Sequence, residues 1–238
     1  MTHQSIRPVY KNQILASLSE SDLARVAPHL SPVDLKLGRI LFEAGDPVWT
    51  VYFLEEGLCS NVVALANGGT VEVGIIGRDG FVDVSAVLGT GHSLNRCVIQ
   101  IAGSGFAIKS SILREQINES ETLRSSLQRA VQGLLAQTSQ TAACNRVHEL
   151  EERLARWLMM CYDRIGANHL SITHEFLATM LGTRRSSVTV AAGILHKAGL
   201  IDYSRGRVTI QDRKGLQEAA CECYQAVREE YSRLGLLQ

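Results

Sequence analysis

The 238-residue chain has no net charge, with 24 Lys and Arg against 24 Asp and Glu, and that neutrality counts against a uniformly basic nucleic-acid binder. It lacks any run of about 18 uncharged apolar residues, so no helical membrane span is expected. The opening stretch MTHQSIRPVYKNQI has no apolar centre of a secretory signal, which makes the cytoplasm the expected location and a membrane an unexpected partner. Long Pro/Gly/Ser-rich linkers are missing. So are a phosphate-cradling glycine loop, a nucleophile elbow, paired metal-binding histidines and zinc-type cysteine pairs. The seven histidines are isolated, and catalysis is not expected.

The six cysteines, Cys59, Cys97, Cys144, Cys161, Cys221 and Cys223, show no repeated spacing, which for a cytosolic chain indicates free, mostly buried thiols rather than a disulfide framework. Cys221 and Cys223 fall on an expected C-terminal helix, where residues two apart do not face together. No metal site is expected there or elsewhere.

What is present is unevenly placed. Net charge is −2 over residues 1–145, −1 over 146–181 and +3 over 182–238, and within 182–214 it reaches +5. From about Pro32 to Lys109, short β-type runs alternate with the turn signals Gly45-Asp46-Pro47, Asn67-Gly68-Gly69 and Arg78-Asp79-Gly80, a spacing that predicts a β-sandwich or roll. The segment SLSESDLARVAPHL ahead of it reads as helix. Between Glu119 and Cys144 there is no proline, and Leu123, Leu127, Ala130 or Val131, and Leu134 recur at alternating four- and three-residue steps. Such a stripe fits either a helix packed on its own roll or a helix paired across a dimer.

A second helix, VHELEERLARWLMMCYDRIG, carries Leu150, Leu154, Trp157, Leu158 and Cys161 on one face and stops at Gly166. Thr173 then precedes a short helix, HEFLATMLG. Gly182 breaks it, Thr183 is the expected N-cap of the next helix, and that helix runs from Arg184 to about Lys197. Val188, Ala191 or Ala192, and Leu195 point inward by their spacing, which leaves Arg184, Arg185, Ser186, Thr189 and Val190 on the leading edge and outer face. Ser204-Arg205-Gly206-Arg207 can turn a hairpin, completing a winged helix-turn-helix. Adjacent cations at a helix N-terminus oppose its dipole. A DNA groove supplies what they need, because arginine pairs bidentately with guanine and hydroxyls meet phosphates and base edges.

From about Leu18 to Leu216 the order of roll, long helix and winged helix resembles the Crp/Fnr family of bacterial transcription regulators, most specifically in LSITHEFLATMLGTRRSSVTVAAGILHKAGLIDYSRGRVTI. The resemblance implies an α+β fold. Residues 1–118 would form a jelly-roll sensor of the cyclic-nucleotide-binding-domain type, 119–145 a dimerisation helix and hinge, and 146–238 the winged DNA-binding domain. It places Thr173 and His174 at a phosphate-contacting helix start and Arg185 on a guanine-reading arginine. Thr183, Ser187, Arg205 and Arg207 join the expected DNA contacts, and Leu123, Leu127, Val131 and Leu134 the expected dimer helix. Ser186 stands where the cyclic-AMP receptor protein has glutamate, and Val190 where it has arginine, so a different operator is implied.

In the roll, Arg96 and Cys97 match the positions of the phosphate-binding arginine and its hydroxyl partner, while Val84, with Asp83 beside it, stands where a ribose-binding glutamate is expected. Without that carboxylate a ribose hydroxyl loses its acceptor. Cyclic nucleotide is thus a weakly supported effector, and no cofactor is established. The N-terminal cysteine cluster of the iron–sulfur branch is also missing, since no cysteine precedes Cys59. The expected protein is a homodimer on double-stranded inverted-repeat DNA, with RNA polymerase and a small-molecule effector as further candidate partners. The competing reading is a ligand-binding or protein-interaction module whose helix-turn-helix contacts protein.

Overall fold

A computed structural model describes residues 10–66, 68–204 and 206–237; Asn67 of one expected turn and Arg205 of the expected wing lie outside the described residues. Two short helices, α1 (Gln13–Ser17) and α2 (Glu20–Val26), open the chain, capped by the side chains of Asn12 and Ser19. The roll follows as β1 (Ser31–Leu35), β2 (Ile40–Phe42), β3 (Thr50–Leu54), β4 (Leu58–Ala64), β5 (Thr70–Ile76), the one-turn α3 (Ser85–Leu88), β6 (Arg96–Ile101) and β7 (Gly103–Lys109). Its strands form two antiparallel sheets, ordered β1-β7-β3 and β2-β6-β4-β5. Apolar residues such as Leu35, Val51, Phe53, Ile99 and Ile108 are buried between them.

Two helices then leave the roll. The first, α4 (Ser110–Glu119), has no counterpart in the sequence reading. Ser120, in extended backbone, ends it and caps α5 (Glu121–Val147) by accepting from the Leu123 amide at 3.0 Å. At 1.5 Å per residue, the 27 residues of α5 span about 40 Å. The chain continues as α6 (Leu150–Ile165), β8 (His169–Ser171), α7 (His174–Met180), α8 (Arg185–Lys197), β9 (Ile201–Ser204), β10 (Arg207–Ile210), α9 (Arg213–Ala219) and α10 (Glu222–Arg233). A third small sheet runs β8-β10-β9.

The four-and-three stripe on α5 is used within the chain. Leu123 and Leu127 are fully buried in the roll's own core, and Val131 and Leu134 pack against it. Leu123 and Leu127 are thus taken up by the chain's own core, whereas Val131 and Leu134 stay half-buried: hydrophobic period shows that a face is covered but not by what. The opposite flank takes α10, which returns along α5. Gly133 allows that approach, since a Cβ there would meet Leu236 at 2.9 Å. Further along, the buried Gln137 side chain accepts from the Ile75 amide at 3.0 Å and donates to the Ile75 carbonyl at 3.1 Å. It thereby satisfies the edge of β5 in the manner of a neighbouring strand.

A second core joins roll to winged helix. Leu58, Val62 and Ile75 of β4 and β5 pack with Leu154, Trp157, Leu158, Leu177 and Val188. From Leu154 to Cys161 every residue of α6 is buried, so α6 is covered all round rather than on the one face its spacing indicated. Trp157 Nε1 donates to Glu72 Oε1 at 2.7 Å, and Ser60 Oγ lies 2.6 Å from Glu72 Oε2. Burial pushes the Glu72 carboxyl up from 4.5 to about 7, against the lowering effects of the Ser60 and Trp157 hydrogen bonds and the Arg156 and Arg164 charges. The Ser60 hydroxyl also touches Gln100 Oε1. Its single proton can serve one of these acceptors; a protonated Glu72 donating to Ser60 serves both.

Because its folded pKa is raised, Glu72 contributes stability that is full below about pH 4.5 and is lost as pH rises through about 7. Glu72→Gln keeps an acceptor for Trp157 and cannot ionise. Its thermal midpoint should vary less than that of the parent across this interval, as read by circular dichroism; parallel profiles would overturn the assignment.

Candidate nucleic-acid interface

The helix-turn-helix is built from its caps outward. Thr173 Oγ1 accepts from the Phe176 amide at 3.2 Å and starts α7. At the far end, Gly182 takes a φ of +61° and the Thr183 amide donates back to the Ala178 carbonyl at 2.9 Å. That bond winds the chain past Thr183, so α8 begins one residue later than its sequence indicates. Arg184, not Thr183, occupies the N-cap, without a side-chain capping bond. The turn presses on the roll: a Cβ on Gly182 would lie 3.2 Å from Val71 of β5.

Along α8 the inner residues Val188, Ala191, Ala192 and Leu195 are buried, which fixes the opposite face. Arg184, Arg185, Ser186, Thr189 and Val190 are exposed there, with Thr183 and Ser187 half-buried beside them. Val190 is 65% exposed, and Ile194 continues the apolar strip one turn on. Among the described residues the Arg185 guanidinium reaches one carboxylate, the exposed Glu175 on α7, at 3.9 Å. In water such a contact contributes little, and the arginine is available to a stronger anionic partner. Arg207 is exposed on β10, where its backbone pairs with both Ser171 and Ser204.

His174 is tied into the scaffold of the motif. Its ring stacks on Tyr203 of β9 with centroids 3.9 Å apart, its Nδ1 lies 3.0 Å from Thr189 Oγ1, and its amide donates to the Tyr203 hydroxyl at 3.2 Å. Burial, assisted by the nearby Arg185 charge, lowers its pKa. A ring held neutral between α7, α8 and the wing fixes the mutual placement of all three. Tyr203 was missed in the sequence because its partner is 29 residues away and no local period marks the pair.

The four expected effector residues are only partly brought together. Asp83, Val84 and Cys97 line one cavity with Asn61, Ser93 and Asn95, of about 30 Å³, room for a water rather than a nucleotide. Asp83 Oδ1 is occupied by the Ser85 amide at 2.8 Å, and the Cys97 thiol donates to Asn61 Oδ1 at 3.2 Å. Arg96 does not line the cavity; its Nε is paired with Glu43 Oε2 at 2.8 Å. These residues do not fit a cyclic nucleotide.

The cysteine reading also needs correction. Cys221 is the N-cap of α10, with extended backbone, so it lies outside the helical phase that would separate it from Cys223. Both thiols meet Cys144 and His148 at the end of α5, with all four ligand atoms within 4.8 Å of one another. A cap position followed two residues later by a second cysteine was the signal available.

The arrangement is a winged helix-turn-helix docked on a two-sheet roll through a long helix. Residues 152–219 match the Crp-like helix-turn-helix domain family. No curated protein matches the chain in sequence. Among solved structures, the chain is similar to the c-di-GMP responsive global regulator CLP of Xanthomonas campestris, with a TM-score of 0.67 and 16% identity over 81% of this chain and 99% of that one. A CRP-family transcriptional regulator from Thermus thermophilus gives a TM-score of 0.65 and 19% identity, covering 79% and 96%. A mutant of CooA from Carboxydothermus hydrogenoformans gives 0.63 and 15%, covering 88% and 95%. The chain has the Crp/Fnr regulator fold and carries a Crp-like helix-turn-helix domain. No helix among the described residues is long and apolar enough to cross a membrane.

Calorimetric titration of the purified chain with cyclic AMP should give no saturable heat at concentrations up to about 1 mM, a ligand free energy near −4 kcal/mol. Micromolar binding would show that the Arg96–Glu43 pair opens to ligand.

Proposed function

We propose that the chain is a sequence-specific, DNA-binding transcription regulator that acts as a homodimer and has no catalytic step. The observation that carries this reading is the outer face of α8. Arg184, Arg185, Ser186 and Thr189 are exposed at the leading end of a helix whose inner face is buried and whose approach is set by the His174–Tyr203 stack. With the wing cation Arg207, they present bidentate and hydroxyl donors suited to a major groove and its flanking phosphates. Val190 and Ile194 add apolar surface suited to thymine methyls. Likeness to transcriptional regulators of the same fold supports the same conclusion.

The dimer surface is the exposed face of α5, at whose border Gln132 Nε2 donates to Glu230 Oε1 of α10 at 2.9 Å. Gln128, Gln132, Leu135, Ser139, Ala142 and Arg146 are exposed at alternating four- and three-residue steps, and Leu135 is 66% exposed. That is the seam spacing of paired helices, one stripe removed from the buried leucines. Two α8 helices related by a two-fold axis would then read an inverted repeat about one helical turn apart. The roll would bias this arrangement in response to a small molecule other than a cyclic nucleotide.

Selection of bound sequences from random duplex DNA should return an inverted repeat, with affinity falling steeply as salt rises. Recovery of no duplex at modest salt would leave the protein-interaction reading in place. Arg185→Ala should cost about 1–3 kcal/mol and relax one base position, whereas Arg207→Ala should weaken all sequences alike and reduce the salt slope by about one. Leu135→Arg should yield folded monomers in sedimentation experiments. Leu123→Ala should instead lower unfolding stability by about 2–5 kcal/mol and leave the association state unchanged.

A further inference from the structure

The cluster at the end of α5 has features that neither the DNA-binding face nor the roll accounts for. Cys144 lies in the last turn of α5 and His148 is its C-cap, four residues on and on the same side. Cys221 caps α10 and Cys223 sits in its first turn. Cys144 Sγ and Cys221 Sγ are 3.5 Å apart, as are Cys223 Sγ and His148 Nδ1. In a tetrahedral site with metal–sulfur bonds near 2.3 Å and metal–nitrogen bonds near 2.0–2.1 Å, the corresponding edges are about 3.8 and about 3.6 Å. The spacing is therefore already close to that of one coordinated cation. An iron–sulfur cluster interposes several irons and sulfides between its thiolates, and needs its ligands wider apart than the 4.8 Å that contains these four.

The surroundings are those of ligands rather than of inert core thiols. His148 directs Nδ1 into the cluster and its Nε2 meets Glu222 Oε2 at 2.9 Å, the carboxylate–histidine–metal relay that fixes tautomer and ring orientation. Gln140 Nε2 donates to Cys223 Sγ at 3.1 Å. Arg156 supplies a second, independent observation. It is 6% exposed, yet among the described residues its guanidinium has as hydrogen-bond partners Thr141 Oγ1 at 3.2 Å and Met160 Sδ at 3.5 Å, and its Nε has none. A buried cation without a carboxylate hydrogen bond calls for negative charge nearby. Three thiolates, a neutral imidazole and a divalent cation sum to one negative charge.

We propose that Cys144, His148, Cys221 and Cys223 bind a single tetrahedral cation of the zinc class, with Glu222 and Gln140 orienting the ligands. Three soft thiolates and one imidazole select zinc, and cobalt as its spectroscopic substitute, over magnesium or calcium. The ligand pairs flank residues 149–220, which include the entire Crp-like helix-turn-helix match at 152–219. One cation thus holds together the two points where the chain enters and leaves the winged helix, and anchors both to the base of α5. Metal release would free that base while leaving the interior of the winged helix packed.

The test uses the full chain, purified under reducing conditions with zinc. Elemental mass spectrometry should find one zinc per chain, and exchange with cobalt should give the thiolate-to-cobalt charge-transfer band and the intense d–d bands of a tetrahedral site. Cys144→Ser and Cys223→Ser should abolish those bands, and Cys59→Ala, whose thiol lies in the roll, should keep them. Glu222→Gln, an exposed substitution that leaves the ligands intact, should weaken cobalt affinity about 10–100-fold. Substoichiometric metal with no cobalt spectrum in the reduced parent would overturn the site. So would bands that survive Cys144→Ser with Cys223→Ser, unchanged affinity in Glu222→Gln, or a Cys144–Cys221 disulfide in place of metal. The readout is the metal itself, so a chain that takes up cobalt but selects no DNA overturns the regulator reading alone.

Discussion

Arg164 on α6 and Asp79 in the turn after β5 meet at 2.7 Å with side chains 1% and 2% exposed. Arg164 also lies over the Tyr231 ring of α10, 5.0 Å from its centroid, and Asp79 holds its own turn through the Gly77 amide at 2.8 Å. A buried ion pair adds little net stability, because the desolvation of both charges offsets their attraction. Separating the partners while they stay buried costs about 3–5 kcal/mol. The winged helix therefore has few intermediate positions on the roll. It docks with the pair closed, or it leaves far enough for both charges to reach water. The second core, the Trp157–Glu72 hydrogen bond and the contact of Gly182 with Val71 depend on that choice.

The same constraint explains how a neutral protein can present a basic reading face. The acidic excess of residues 1–145 and the cationic excess of 182–214 lie in parts of the chain that are docked but not interleaved. Among the described residues the ion pair between roll and α6 is the buried Arg164–Asp79, and no cation of α8 or β10 pairs with the roll. Glu175 is, among the described residues, the carboxylate that approaches Arg185, and both side chains are so exposed that the contact contributes little. Charge patterning thus separates adhesion within the chain from adhesion to an external polyanion.

Much of this was legible in residue order, because turn chemistry and apolar period are local. The strands between Pro32 and Lys109, the caps at Thr173 and Gly166, and the inward set Val188, Ala191, Ala192 and Leu195 each follow from neighbours within a turn or two. What was not legible depends on partners distant in sequence. The leucines of α5 announce a covered face, but only the fold shows that the roll covers it and that the free stripe begins at Gln128. Helix α4 lacks capping by its own N-cap residue and buries few side chains, so its pattern is weak. The N-cap of α8 shifted from Thr183 because a backbone bond to Ala178 consumed that residue first. Cys221 and Cys223 converge because a cap residue does not follow helical phase, a displacement that arithmetic on an unbroken helix cannot register.

Arg156 connects the thiol cluster to the docking interface. Its side chain is 6% exposed and lies between the two. The guanidinium donates to Thr141 Oγ1 of α5 at 3.2 Å, one turn before Cys144, while the next residue of α6, Trp157, donates to Glu72 Oε1 of β5 at 2.7 Å. Consecutive residues in the buried stretch of one helix therefore tie the end of α5 on one side and the edge strand of the roll on the other, so α6 cannot shift against either without breaking a buried hydrogen bond.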